Sequence, residues 1–201
     1  MIDHIVFDIG KVLIQYDPHL GLEGAIPDRH RRDWFFANVC THDWNIEQDR
    51  GRSWAEAEAI LIDEFPDEAS NIRAFRQNWH KMVPGAIDGS VAIMRTLIEA
   101  DRDVTMLTNF AADTFVEAKQ MFPFLNEPRG VTVSGEVGLI KPDVAIYEMH
   151  HGAFGLNPSR TIFIDDVAAN VEAARKAGWQ AVRFIDAELL ISDLEGFGVV
   201  V

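Results

Sequence analysis

Four places in the sequence hold side chains that could do chemistry together: Asp8, the pair Thr108-Asn109, Lys141, and the pair Asp165-Asp166. Each has an ordinary explanation alone. Asp8 suits a turn after a strand. Thr108, Asn109 or Asp166 suits the cap of a following helix, and Lys141 suits a solvated loop. The combination says more. Asp8, Asp165 and Asp166, brought close, would repel one another unless a cation offsets them. Magnesium (Mg2+) fits, because it takes one or two carboxylates and keeps waters and substrate phosphate. Lys141 adds a fixed positive charge, and the Thr-Asn pair adds hydrogen-bond donors. Such a set suits a dianionic phosphoryl group.

These residues act together only if the fold gathers them. His4 to Asp8 is short and apolar, with Gly10 close behind, which predicts a buried strand feeding a loop. A second run of elements begins near Asp88. It reads helix Asp88–Ala100, strand Asp103–Thr108, helix Ala111–Met121, strand Val131–Ser134, and a helix starting at Pro142, where proline suits the first turn. The strand Thr161–Asp165, the helix Ala168–Ala177 closed by Gly178, and the strand Gln180–Phe184 follow. Helices alternating with short apolar strands predict an α/β fold, a Rossmann-like open parallel sheet covered on both faces. Ligands of such sheets sit beyond the C-terminal strand ends. Asp8, Thr108-Asn109 and Asp165-Asp166 stand at three of those ends and would share one crevice.

Residues 16–83 read differently. They are helical throughout, with apolar residues at three- and four-residue spacing near Arg29–Val39, Trp54–Phe65 and Glu68–Met82. Ile60, Leu61 and Phe65 form one such face, and Ser53 with Glu56 makes a capping box. The chain therefore reads as a core of residues 1–15 and 84–201 interrupted by a helical insertion, 16–83. His150-His151 reads as helix surface rather than a metal site, because adjacent helical residues do not face one another.

Composition limits the partners. Of 201 residues, 48% are apolar or aromatic, enough for one sizeable core. Asp and Glu number 32 against 18 Lys and Arg, and the formal net charge of -14 repels nucleic-acid phosphates and anionic lipid. A small anionic ligand in one local site remains compatible with it. Cys40 is the single cysteine, which rules out an intrachain disulfide framework and points to a reducing cytoplasm. The opening MIDHIVFD has no basic stretch of a signal peptide, and no apolar run reaches membrane-spanning length.

FDIGKVL, LTN, KPD and FIDD, in this order, resemble the four motifs of the haloacid dehalogenase superfamily. The likeness covers the chain outside the insertion, and the insertion is similar to that superfamily's helical cap. The resemblance implies roles. Asp8 would attack phosphorus and carry an aspartyl phosphate. Asp8, the Gly10 carbonyl and Asp166 would ligate magnesium, with Asp165 as a more distant or water-mediated partner. Thr108, Asn109 and Lys141, with the amides of Ile9 and Gly10, would hold the phosphoryl oxygens.

One position departs from the pattern. Phosphatases of this superfamily usually carry a second aspartate two residues after the nucleophile, as general acid and base; here that residue is Gly10. The dehalogenase branch lacks it too, but usually carries an aromatic residue there and lacks the paired acids of the fourth motif. Asp165-Asp166 therefore favours a metal-dependent phosphatase. A subgroup of bacterial sugar-phosphate phosphatases of the glucose-1-phosphate type reads Asp-x-Gly-Asn-Val, and this chain is similar to it, with Lys11 in place of Asn. The stretch Trp44 to Gly51 also resembles that subgroup. The implied substrate is a small phosphorylated metabolite, a sugar phosphate first. His42, Trp44, Gln48 and Arg50 are the residues of the insertion expected to select it, with His42 first in line to replace the missing acid. Dehalogenation at Asp8, and a weakly catalytic phosphate-binding regulator, are the alternative readings.

Overall fold

The computed structural model describes residues 1–201. Five strands form one all-parallel sheet: β1 His4–Phe7, β2 Asp103–Thr108, β3 Val131–Val133, β4 Thr161–Asp165 and β5 Gln180–Arg183. Their spatial order is β3-β2-β1-β4-β5. Later strands thus add to both sides of β1, which makes its C-terminal end the topological switch point where ligands of open sheets bind. The register places Phe7 beside both Met106 and Ile164. Asp8, Thr108 and Asp165 consequently emerge along one edge of the sheet, as the sequence predicts.

Helices α1 Pro18–Leu22, α2 Arg29–Asn38, α3 His42–Asp49, α4 Trp54–Glu64, α5 Ala69–Gln77 and α6 Trp79–Met82 follow β1 before the chain returns to the sheet through α7 Asp88–Glu99. The remaining helices are α8 Ala112–Met121, the single turn α9 Ser134–Val137, α10 Val144–Phe154, α11 Ala168–Lys176 and α12 Ala187–Gly196. None is long and apolar enough to cross a membrane.

The sheet is buried on both faces, so its strands are buried at nearly every position and successive side chains enter opposite layers. Ile5, Phe7, Val104, Met106, Ile162 and Ile164 face a core shared with α7 and α12. Val6, Leu107 and Phe163 face Ile146 and Tyr147 of α10 and Val171 and Ala174 of α11. The first of these cores runs on into the insertion, through Leu22, Phe35, Ala57, Ile72 and Phe75. The insertion also holds the core with polar contacts. Arg76 bridges Asp113 (3.1 Å) and Glu117 (2.5 Å), Trp54 donates to Asp113 (3.1 Å), and Arg50 reaches Asp143 at 3.4 Å. Gly51 belongs at this seam. It adopts a left-handed φ of 103°, and a Cβ there would stand 3.1 Å from the Gly135 carbonyl oxygen.

Several local readings need correction. The run Glu68–Met82 is two helices, broken at Asn78. The third core helix starts at Val144, not Pro142. Lys141 just before it is pinned by both its backbone groups, its N–H to Asn109 Oδ1 (2.8 Å) and its carbonyl to Asn109 Nδ2 (2.9 Å), so the chain turns before it winds. Ser53 does cap α4, accepting from the Glu56 amide at 3.3 Å, but Ile60 is exposed while Ala57 and Leu61 carry the buried face. His150 is not on the surface. It is fully buried, between the hydroxyls of Thr105 (3.0 Å) and Thr132 (2.8 Å). Helix α12 has no counterpart in the sequence reading.

Candidate active site

The first strand ends on Asp8, whose amide donates to the Ile164 carbonyl at 2.9 Å and so continues the β1–β4 ladder by one residue. The chain then turns sharply. The amides of Val12, Leu13 and Ile14 all point back to the Ile9 carbonyl, which leaves the Gly10 carbonyl free of loop hydrogen bonds. The Ile9 amide donates to Asp8 Oδ1 at 2.7 Å. It therefore orients the carboxylate, and the Gly10 amide is the one left for a ligand.

Lys141 is the hub of the site. Its ammonium, almost wholly buried, reaches Asp8 Oδ1 at 2.8 Å, Asp165 Oδ2 at 2.7 Å and the Leu107 carbonyl at 3.1 Å. Three donors meet three acceptors. Asp165 is held as tightly. The Val167 amide donates to its Oδ1 at 2.8 Å, and the Asn170 side-chain amide lies 3.0 Å from each of its oxygens. Both Asp165 oxygens are thus engaged, one of them by the Lys141 ammonium. The helix caps expected of the other residues are absent. Ala111 and Val167 occupy the N-cap positions of α8 and α11, neither with a side-chain cap.

Carboxylate oxygens of Asp8, Asp165 and Asp166 all lie within 4.8 Å of one another. One ammonium among three carboxylates leaves two negative charges uncompensated at close range. Asp8 Oδ2 and the half-buried Asp166 carboxylate accept no hydrogen bond from another residue. Together with the Gly10 carbonyl they form a set of hard oxygen donors, and magnesium fits that set. The electrostatics agree. Burial pushes the Asp8 carboxyl above its ordinary range; Lys141 pulls it down, and Asp165 pushes it up again. Burial, then Asp165, raises Asp166, against the pull of Lys11 and Lys141.

A cavity of about 380 Å³ lies between this end of the sheet and the insertion, next to the cluster. Gly10 and Asn109 line it at the sheet end, and the aromatic rings of Tyr16, Phe36, Trp54, Phe75, Trp79 and Phe110 make much of its wall. Thr108 is buried at the end of β2 beside it, and the Asn109 side chain is occupied with the Lys141 backbone. Of the four residues expected to select substrate, His42 lines the cavity. Trp44 packs against Trp54 and Phe75, Gln48 is buried and bonded to the Trp44 carbonyl and Arg52, and Arg50 lies at the rim with Glu47 and Asp143. The cavity instead takes Asn45 and Asp49 from the same helix and His19 from α1. His42, Asn45 and Asp49 are spaced i, i+3, i+7, one face of a helix, and Trp44 and Gln48 lie on the opposite, buried face. That spacing was the signal available in the sequence. His19 carried none; its buried Nδ1 has no partner within the protein.

This sheet, with its switch point at Asp8 and four motifs in order around one crevice, has the fold of solved haloacid dehalogenase-type hydrolases, and the chain is similar in sequence to a phosphatase. A sesquiterpene phosphatase, astK, from Aspergillus oryzae is 26% identical over 183 residues, which span 90% of this chain and 89% of that protein. Among solved structures, a HAD family enzyme from Bacteroides thetaiotaomicron in complex with magnesium and inorganic phosphate aligns with a TM-score of 0.74. It is 20% identical, and the alignment covers 92% of this chain and 96% of that one. An L-2-haloacid dehalogenase from Xanthobacter autotrophicus, with chloropropionic acid covalently bound, aligns with a TM-score of 0.65 at 16% identity, covering 100% of this chain and 85% of that one. No family model matches the chain.

Proposed function

We propose that this chain is a magnesium-dependent phosphatase that hydrolyses a small phosphomonoester through an aspartyl phosphate on Asp8. The observation that carries this is the Asp8–Lys141–Asp165 cluster beside the open carboxylate of Asp166, adjoining the cavity that Gly10 and Asn109 line. In this reading residues 16–83 are a cap over a core of residues 1–15 and 84–201. Asp8 Oδ1 is held by Lys141 and the Ile9 amide, so Oδ2 attacks phosphorus or ligates the ion. Lys141, the Gly10 amide, Thr108 and the backbone of Asn109 hold the phosphoryl oxygens. Asp8, the Gly10 carbonyl and Asp166 hold magnesium, which when bound offsets the charge of carboxylates and phosphate. The single Cys40 keeps a cytoplasmic setting as part of the proposal.

A sugar phosphate, expected from the sequence, is one substrate the cavity would take, through Asn45, His42 and Asp49. The aromatic walls favour a second class with a larger apolar group, an aryl or prenyl phosphate. The sesquiterpene phosphatase relative supports that second class. Phosphate release from glucose 1-phosphate, farnesyl phosphate and p-nitrophenyl phosphate, with magnesium and with excess chelator, tests the proposal. Release should require magnesium, and calcium should substitute poorly because it prefers a larger, looser coordination shell. Dehalogenation is the competing reading that the absent aspartate at Gly10 leaves open; chloride released from 2-chloropropionate in the presence of chelator would establish it instead.

A further inference from the structure

We propose that Asp49, on the last turn of α3, is the general acid and base that Gly10 cannot be. The inference rests on the phosphatase reading above and assigns the proton transfers within it.

Three observations place Asp49. It lines the same cavity as Gly10 and Asn109, on the insertion side, at the end of the α3 face that also presents His42 and Asn45. The Lys141 ammonium, which bonds Asp8, acts on the Asp49 carboxyl, and the Asp49 charge acts in turn on the Tyr16 hydroxyl of the adjoining wall. The space at Gly10 is open: a Cβ built there meets no heavy atom within 4 Å. The usual acid is therefore missing without anything packed into its place, and a carboxyl from across the cavity has room to reach a leaving-group oxygen. Burial raises the Asp49 carboxyl to about 7, with the Ala111 amide and Lys141 pulling the other way, so both protonation states are accessible near neutral pH. The neighbouring candidates are weaker. Burial, then Asp49 and Asp17, holds the Tyr16 phenol up and protonated. His19 lies against Phe36 and near Asp33, and His42 stands at the exposed start of α3, a full two turns from Asp49.

The proton balance closes. As an Asp8 carboxylate oxygen bonds to phosphorus, the ester P–O bond breaks, its electron pair goes to the leaving oxygen, and the Asp49 proton joins that oxygen to release the alcohol. Asp49, now a carboxylate, takes a proton from the water whose oxygen attacks the aspartyl phosphate. The Asp8–phosphorus bond breaks, inorganic phosphate leaves, and Asp49 is protonated again.

The test measures kcat/KM, which reports formation of the aspartyl phosphate, against leaving-group pKa for aryl and alkyl phosphates at saturating magnesium. The unmodified protein should show a shallow slope. Asp49→Asn should lower kcat/KM for alkyl phosphates by about 10²–10⁴ and for p-nitrophenyl phosphate by less than about tenfold, since a good leaving group needs little proton donation. That variant should also release a burst of p-nitrophenol, one per site, because its second step lacks a base. Gly10→Asp in the Asp49→Asn background should restore much of the alkyl phosphate rate. An equal loss for all leaving groups with a raised KM would make Asp49 a binding residue and overturn the proposal. So would a leaving-group-dependent loss in His42→Asn but not in Asp49→Asn. A protein that releases no phosphate even from p-nitrophenyl phosphate would overturn this inference and the phosphatase reading together, whereas failure of this inference alone leaves that release intact.

Discussion

Two polar assemblies are buried against the same sheet, and they are built to opposite ends. Around His150, the ring nitrogens meet the Thr105 and Thr132 hydroxyls, the ring packs on Phe154 and Trp179, and the set does not border the cavity. It is neutral and closed. Around Lys141, the ammonium is saturated by Asp8, Asp165 and the Leu107 carbonyl, yet Asp8 Oδ2 and Asp166 stay open on the crevice side. That set is charged and open. A closed network serves the fold, because every buried polar group is matched. An open one leaves ligating capacity in the direction of a ligand, which is how a binding centre differs from a structural one of similar burial.

The sharpest way to break the contrast is at Asp8, the proposed nucleophile. Asp8→Asn keeps the shape of the side chain and removes the attacking oxyanion. Turnover should fall by about 10⁴–10⁶, the scale on which enzymes lose rate when a nucleophile is removed, while cooperative unfolding persists. Retention of most activity, measured as phosphate release, would mean that water attacks directly and that Asp8 is only a ligand. A beryllium fluoride adduct on Asp8 in a magnesium-containing crystal would show the covalent route by structure.

The second prediction concerns the hub. Lys141→Met leaves Asp8 and Asp165 buried without their counter-ion. Breaking a buried pair by removing one partner costs about 3–5 kcal/mol, and urea unfolding at pH 7 should show a loss of that order together with loss of turnover. Pairing it with Asp165→Asn should recover part of the stability and none of the activity. A Lys141→Met protein as stable as its parent would place Lys141 among solvated residues, as the sequence alone allows.

The same contrast explains what was legible. Strand-end chemistry could be read because a buried parallel strand announces itself as a short apolar run, and its last polar residue then marks the edge: Asp8, Thr108 and Asp165 were placed this way. Lys141 could be placed only through its motif, since nothing local shows that a loop lysine will be buried. Asn170 and the Asn109 clamp on the Lys141 backbone escaped altogether, because each depends on a hydrogen bond between segments that meet only in the fold. The α3 stretch expected to select substrate borders the cavity through one face only. Trp44 and Gln48 drew notice by residue type, but Asn45 and Asp49 share the cavity face with His42. His150 was misjudged by its neighbour. Adjacent helical residues point apart, which excludes a shared metal and leaves either one free to be buried.

The closed assembly gives the smallest and most specific prediction. Burial, then Arg129 and His151, lower the His150 pKa to about 3, against an ordinary value near 6.5 for an exposed imidazole. Its neutral form is what the fold accommodates. Above about pH 6.5 both folded and unfolded chains hold it neutral, so its contribution to stability is complete there. Between 6.5 and 3 the unfolded chain binds a proton that the folded chain refuses, so stability rises with pH across that window and is lost as the solution is acidified. One such proton corresponds to a slope of about 1.4 kcal/mol per pH unit. His150→Gln keeps a donor and an acceptor for the two threonines and cannot titrate. Urea unfolding of both proteins from pH 7 to pH 4.5 should give curves whose difference carries that slope, because every other titrating group is common to the pair. If His150→Gln and the parent fall in parallel on acidification, the ring accepts a proton inside the fold, and the assembly around it is not closed after all.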